Sequence, residues 1–196
     1  TRQREMKGLG HAILTGQTLI GDEPFGVILA DDLCFNEGGD GVMAQMVKIY
    51  KQVRCSIVAI EEVPEDQIHK FGVIAGDAVR DDLYRVTNMV EKPTAAEAPS
   101  NLAIIGRYIL TPDIFAALDE TREDRTGEIQ LTNGLKRLLQ TRPIYACEVT
   151  GTRHDTGNKL GFLKAVVYFA LRRPDLAGPF REYLQDAATP QALADG

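Results

Sequence analysis

Several short stretches of this chain place side chains where they could hold a phosphorylated ligand. Glu91-Lys92-Pro93 closes a β-like run. A carboxylate can accept two hydroxyl protons from a polyol, and the adjacent ammonium is a point charge suited to a phosphate. Neighbouring side chains of a regular strand point to opposite faces, so both serve one ligand only if the backbone turns there, which Pro93 favours. The plain alternative is an exposed ion pair worth little. Asp31-Asp32 directly follows the apolar run 25–30. In open α/β sheets ligands collect outside the carboxyl ends of strands, so an acid there could hold Mg²⁺ against substrate phosphates, or could be a solvated strand exit. Lys7-Gly8-Leu9-Gly10 precedes a short helix, and its glycines either admit a ligand to backbone N–H groups or make an ordinary tight turn. His154-Asp155-Thr156-Gly157-Asn158-Lys159 lies between a strand and a helix. There Asp155 could be a second metal-facing carboxylate and Lys159 a phosphate contact, while Asn158 could equally be a helix cap and His154 a structural residue.

Composition removes other chemistries. The chain has 196 residues, 44% of them hydrophobic, with 22 basic and 28 acidic side chains and a net charge of −6. Without a basic excess or a Lys/Arg stripe, nucleic acid is excluded as a main partner. No apolar run approaches the ~20 residues of a membrane span. Cys34, Cys55 and Cys147 offer neither a disulfide framework nor a CxxC pair, which fits a reducing cytoplasm. His11, His69 and His154 form no HExxH, and Ser56 and Ser100 lie outside any GxSxG.

The elements that must position these residues alternate in period. Residues 25–30 and 56–60 read as strands covered on both faces, and the helix between them, with Val42, Met43, Met46, Val47 and Tyr50 on one face, can be capped by Asp40. Strand, helix, strand predicts a parallel α/β sheet. Further strands are predicted over 71–74, 84–90, 102–110 and 143–149. Thr111-Pro112-Asp113 reads as a helix start with a hydroxyl cap and proline at the first helical position. Helices follow at 131–139, 160–173 and 180–184, and the Ala/Asp/Gly-rich end is predicted to fray.

In order, Gln3…Lys7-Gly8-Leu9-Gly10-His11-Ala12, Ala30-Asp31-Asp32, Phe71-Gly72-Val73-Ile74, Val90-Glu91-Lys92-Pro93, 99–108 (PSNLAIIGRY), Gly127-Glu128-Ile129-Gln130-Leu131-Thr132 and 154–161 (HDTGNKLG) resemble the bacterial UTP–glucose-1-phosphate uridylyltransferases, or UDP-glucose pyrophosphorylases. The likeness covers nearly the whole chain. It implies a Rossmann-like α/β nucleotidyltransferase fold, with a mixed, mostly parallel central sheet flanked by helices, over 1–175, and a C-terminal helix and tail over 176–196. It also implies the family's central and C-terminal portion, because the family's glycine-rich GxGTR loop is not found in these residues; the segment alone is expected to be inactive.

By that resemblance Gln3 and Gly8 meet the uracil, and Asp31 holds Mg²⁺ with Asp155 as a second ligand. Gly72 approaches the hexose by its backbone, Glu91 accepts its 2- and 3-hydroxyls, and Asn101 lines the sugar site. Lys92 neutralises phosphate oxygens, so Lys92 and Asp31 are the implied catalytic positions. UTP and glucose 1-phosphate are the implied substrates and UDP-glucose the product, in a cytoplasmic dimer or tetramer. Ala30 stands where many relatives have proline. Two other readings remain: thymidylyl transfer to a hexose 1-phosphate, and a non-catalytic module that binds UDP-sugar or assembles.

Overall fold

Residues 1–189 are described by a computed structural model, so the fraying predicted for the chain end at 190–196 lies outside the described residues. In chain order the elements are α1 (Gly8–Leu14), α2 (Gln17–Ile20), β1 (Phe25–Ile28), β2 (Asp32–Phe35), α3 (Val42–Val53), β3 (Ser56–Glu62), a 3₁₀ turn (Glu65–Lys70), β4 (Gly72–Arg80), β5 (Leu83–Glu91), β6 (Leu102–Leu110), α4 (Asp113–Asp119), α5 (Leu131–Leu138), β7 (Ile144–Glu148), β8 (Thr152–Asp155), α6 (Lys159–Ala170) and α7 (Ala177–Ala187). They form two compact units: Thr1–Leu29 with Phe35–Gly151, and Ala30–Cys34 with the chain from Thr152 onward. No helix among the described residues is long and apolar enough to cross a membrane.

The first unit is built on a six-stranded sheet in the order β1-β6-β3-β7-β5-β4, with β4 also touching β6. The α/β class holds, but the expected predominance of parallel pairing does not. Only β3 and β7 run parallel, and the other pairings are antiparallel. The strand–helix–strand at 25–30 and 56–60 reads as a parallel unit, but β6 lies between β1 and β3 and pairs antiparallel with each, because an apolar run reports burial and not which strand is its neighbour. β1 departs further: it alternates between half-buried and exposed residues, with Ile28 60% exposed, and pairs only with β6.

Alternation along the strands builds the core. Val58 and Ile60 of β3, Ile104, Tyr108 and Leu110 of β6, and Ile144 and Ala146 of β7 pack against Ile13 of α1, Ile114, Phe115 and Leu118 of α4, and Leu131, Leu135 and Leu138 of α5. On the other face α3 packs on β3 and β6, and Met43 lies over Gly26 of β1. Its buried Met46 and Ile49 each contribute about 1.5–3 kcal/mol.

Two predicted caps are not formed. α3 starts after Gly41, and Asp40 instead accepts at its carbonyl from Gln45 Nε2 at 2.8 Å and binds Lys48 with its carboxylate. Thr111 directs its hydroxyl to Ser56 Oγ at 3.0 Å, so α4 begins behind Pro112 without a side-chain cap. Asp40 is taken by side chains of α3 itself, and Thr111 by a tertiary partner, in place of the local backbone bond.

The second unit pairs β2 with β8 and carries α6 and α7. The sequence reading missed both strands, placing 31–39 and 154–159 in loops. Asp32 locks the pair: its Oδ1 accepts from Arg153 Nε at 2.8 Å, with only 7% of the aspartate side chain and 15% of the arginine exposed. His154 packs against the Tyr168 and Phe169 rings at centroid distances of 4.4 and 5.7 Å, and Arg172 lies over Tyr168.

Candidate functional site

Gly72 opens β4 and Glu91 closes β5, and the antiparallel register sets them directly opposite. Lys92, the next residue, has φ 45° and donates its N–H to Phe71 O at 2.9 Å. A left-handed backbone at a non-glycine residue is uncommon and costs about 1–2 kcal/mol. Its effect is the turn that the pair required: Lys92 Nζ lies 3.8 Å from Glu91 Oε1 instead of on the opposite face. Glu91 is held mostly inside, with 19% of its side chain exposed, while Lys92 is 55% exposed. A Cβ on Gly72 would lie 2.6 Å from Thr132 Oγ1 and 3.1 Å from Glu91 Oε2, so the bare glycine lets a hydroxyl and a carboxylate converge. Thr132, in the first turn of α5, was not singled out by sequence reasoning. A buried threonine in a helix is unremarkable as a pattern, and only the fold places it over Gly72.

Gln3 and Gly8 are also together. Gln3 Nε2 donates to Gly8 O at 3.1 Å and meets His11 Nδ1 at 2.8 Å, which places the imidazole proton on Nε2. The Gln3 carbonyl oxygen has no partner among the described residues and can accept from a pyrimidine N3–H. Gly8 has φ +83°, and a Cβ there would meet Glu128 Cβ at 2.9 Å; a Cβ on Gly10 would meet Ile129 O at 2.6 Å. These glycines therefore admit the chain's own segment 128–129, which bonds back through Gly10 N–H to Ile129 O and Ile129 N–H to Lys7 O.

That segment is fixed by Asp124, whose carboxylate accepts from Thr126 Oγ1, Gln130 Nε2 and the backbone N–H groups of Thr126 and Glu128. These bonds, led by the Thr126 hydroxyl and Gln130 amide, hold its carboxyl well below the usual carboxylate range. One stretch, 124–132, thus seats both the Gln3–Gly8 pair and the Gly72–Glu91 pair. Asn101 is exposed just before β6, where its backbone carbonyl accepts from Val63 N–H at 3.0 Å.

In the second unit Asp31 and Asp155 approach one point. A Cβ on Gly157 would lie 3.1 Å from Asp31 Oδ2 and 3.2 Å from Asp155 Oδ1. The Gly157 N–H donates to Asp155 Oδ1 at 2.9 Å, and Thr156 donates to the Asp31 carbonyl from both its N–H (2.7 Å) and its hydroxyl (2.9 Å). Asp32 is committed to Arg153, so of the two adjacent acids only Asp31 joins Asp155. No cluster of three or more His, Cys, Asp or Glu suited to a metal occurs among the described residues. Two hard oxygen donors fit an ion such as Mg²⁺, which keeps waters and completes its shell with substrate phosphates, and do not fit a closed zinc site. Lys159 is the first residue of α6, whose N-terminus is capped by Asn158 Oδ1 accepting from Gly161 N–H at 2.8 Å. Nucleophilic thiol chemistry has no support: burial pushes Cys147 up to about 12 and also raises Cys55.

The α/β fold thus brings a carboxylate and an ammonium together at one strand end of the first unit, and two carboxylates together in the second. The nucleotidyl transferase family model matches residues 1–170, and the chain belongs to that family. Members of this family generally use a divalent metal. The chain is 60% identical over 165 residues to a UTP–glucose-1-phosphate uridylyltransferase of Pseudomonas aeruginosa, covering 84% of this chain and 59% of that protein. It therefore spans about three fifths of that relative's length. Among solved structures it superposes on a UDP-glucose pyrophosphorylase complexed with UDP-glucose, with TM-score 0.86 and 49% identity, over 88% of this chain and 66% of the other. A UTP-bound UGPase from Acinetobacter baumannii gives TM-score 0.85 at 32% identity, over 94% of this chain and 64% of that one.

Proposed function

We propose that the full-length protein transfers the uridylyl group of UTP to glucose 1-phosphate, giving UDP-glucose and pyrophosphate. The observation that carries this reading is the convergence of Glu91, Lys92 and bare Gly72 at one strand end, an acceptor for sugar hydroxyls 3.8 Å from a cation for the sugar's phosphate. The names of the similar proteins supply the substrate pair.

The reaction asks little covalent chemistry of the protein. The sugar-phosphate oxygen is already ionised near neutral pH and attacks the α-phosphorus in line, expelling pyrophosphate without a general base. What the chain supplies is positioning and charge neutralisation. Glu91 accepts the 2- and 3-hydroxyls, Gly72 lets the hexose approach the backbone, and Asn101 lines the sugar site. Lys92 neutralises phosphate oxygens. Gln3 accepts from the uracil N3–H beside Gly8. Asp31 and Asp155 would hold Mg²⁺, which would supply positive charge to the phosphates. The assembly is a homo-oligomer, dimer or tetramer, and its compartment the cytoplasm.

Uracil and thymine share the N3–H edge that faces Gln3, so base choice is the exposed part of this reading. Pyrophosphate release by the full-length protein, measured with UTP and with dTTP against glucose 1-phosphate, tests it. The expected result is a kcat/KM at least tenfold higher for UTP. Equal or better use of dTTP would favour thymidylyl transfer, and UDP-glucose binding by calorimetry without pyrophosphate release would favour a non-catalytic module.

A further inference from the structure

The side-chain amide of Gln3 carries two hydrogens and one carbonyl oxygen, and the fold gives both hydrogens acceptors inside the protein. Nε2 donates to Gly8 O at 3.1 Å and lies 2.8 Å from His11 Nδ1. A backbone carbonyl can only accept, so it fixes which end of the amide faces inward. His11 must then accept as well, as a neutral imidazole. Gln3 and His11 are both half-buried, and Gly8 and His11 belong to the same helix, α1, which holds the two acceptors at a set spacing. That helix start is itself pinned, since a Cβ on Gly8 would meet Glu128 Cβ at 2.9 Å.

We infer that His11 is a positioning residue that sets base selectivity: by taking the second amide hydrogen of Gln3, it leaves the base only the Gln3 oxygen and so selects a pyrimidine that carries N3–H. The inference rests on the base-contact reading of Gln3 given above. Uracil and cytosine differ at that edge, because uracil N3 bears a hydrogen and cytosine N3 a lone pair. A primary amide left to itself serves either, turning its oxygen to the first or its N–H to the second. Reversing the Gln3 amide breaks two hydrogen bonds while His11 is present, and one when it is gone. With the amide held, cytosine sets its N3 lone pair against the Gln3 oxygen. The discrimination therefore works by leaving the wrong base unpaired rather than by adding a contact to the right one.

The test is pyrophosphate release by the full-length protein from glucose 1-phosphate with UTP or with CTP. Wild type is compared with His11→Phe, which keeps a planar ring without an acceptor, and with His11→Asn, whose amide oxygen restores one. In His11→Phe the ratio of kcat/KM for UTP to that for CTP should fall about five- to tenfold, the worth of one neutral hydrogen bond. The change should lie in KM for the nucleotides, with KM for glucose 1-phosphate unchanged, and His11→Asn should recover the wild-type ratio. An unchanged ratio in His11→Phe, an equal loss on both nucleotides, a matching rise in KM for glucose 1-phosphate, or no recovery in His11→Asn would overturn the inference. Gln3→Ala separates it from the reading beneath it. A ratio that survives Gln3→Ala takes Gln3 off the base and removes both, whereas a ratio lost in Gln3→Ala and kept in His11→Phe removes the role of His11 alone.

Discussion

Glu91 and Lys92 are adjacent in sequence, and their shared direction depends on one torsion angle. Replacing Glu91 by Ala removes an acceptor whose hydrogen bonds to sugar hydroxyls, being charge-assisted, are worth about 1.5–3 kcal/mol each. The expected outcome in steady-state kinetics is a KM for glucose 1-phosphate raised roughly 10- to 100-fold, with little change for UTP; equal effects on both would remove Glu91 from the sugar. Lys92→Ala should lower kcat/KM strongly, and Lys92→Arg should restore it only in part, since a planar guanidinium replaces a point charge on a backbone already held at φ 45°. Full rescue by arginine would contradict that geometry. The convergence of the two side chains was legible from the residues alone, because Pro93 signals a departure from regular strand. The approach of Thr132 to Gly72 was not legible, since only the folded chain brings α5 over the start of β4.

At the scale of elements, the stretch 124–132 connects the Gln3–Gly8 and Gly72–Glu91 pairs of the first unit, and Asp124 organises it. The carboxyl of Asp124 titrates below its unfolded value near 3.8 because folded-state hydrogen bonds favour the ionised form. Its contribution to stability is therefore complete above pH 3.8 and is lost as the pH falls through the lower folded-state value. The Tm difference between wild type and Asp124→Asn should accordingly be constant from pH 7 to about 4 and shrink at lower pH. Amide exchange at Gly10 and Ile129, whose N–H groups bond across the Lys7-to-Ile129 contact, should quicken in the same variant at neutral pH. A pH-independent Tm gap would show that Asp124 acts through something other than its charge. The sequence placed β3, β5, β6, β7 and α5 with small errors, since periodicity and turn residues report local burial well, but it ended β4 at 74, whereas the strand runs on to Arg80 in half-buried and exposed residues. It missed β2 and β8, four-residue strands whose polar residues, Asp32 and Arg153 among them, pair with each other in place of an apolar core.

Across the whole molecule, the proposed reaction asks an acidic chain of net charge −6 to gather two polyanions, so its cation density has to come from few places. Direction of strand pairing escaped the sequence reading because burial pattern is blind to it, yet the order of motifs was enough for the family, since their joint spacing constrains far more than any one of them. The convergence of Asp31 and Asp155 about Gly157 was legible only as two separate acids. The most direct test is a Mg²⁺ titration of UDP-glucose formation by the full-length protein, comparing wild type with Asp31→Asn and Asp155→Asn. Loss of one ligand carboxylate should cut kcat/KM by about 10²-fold or more and raise the Mg²⁺ concentration needed for half-maximal rate. Wild-type turnover and Mg²⁺ dependence in Asp31→Asn would contradict the account.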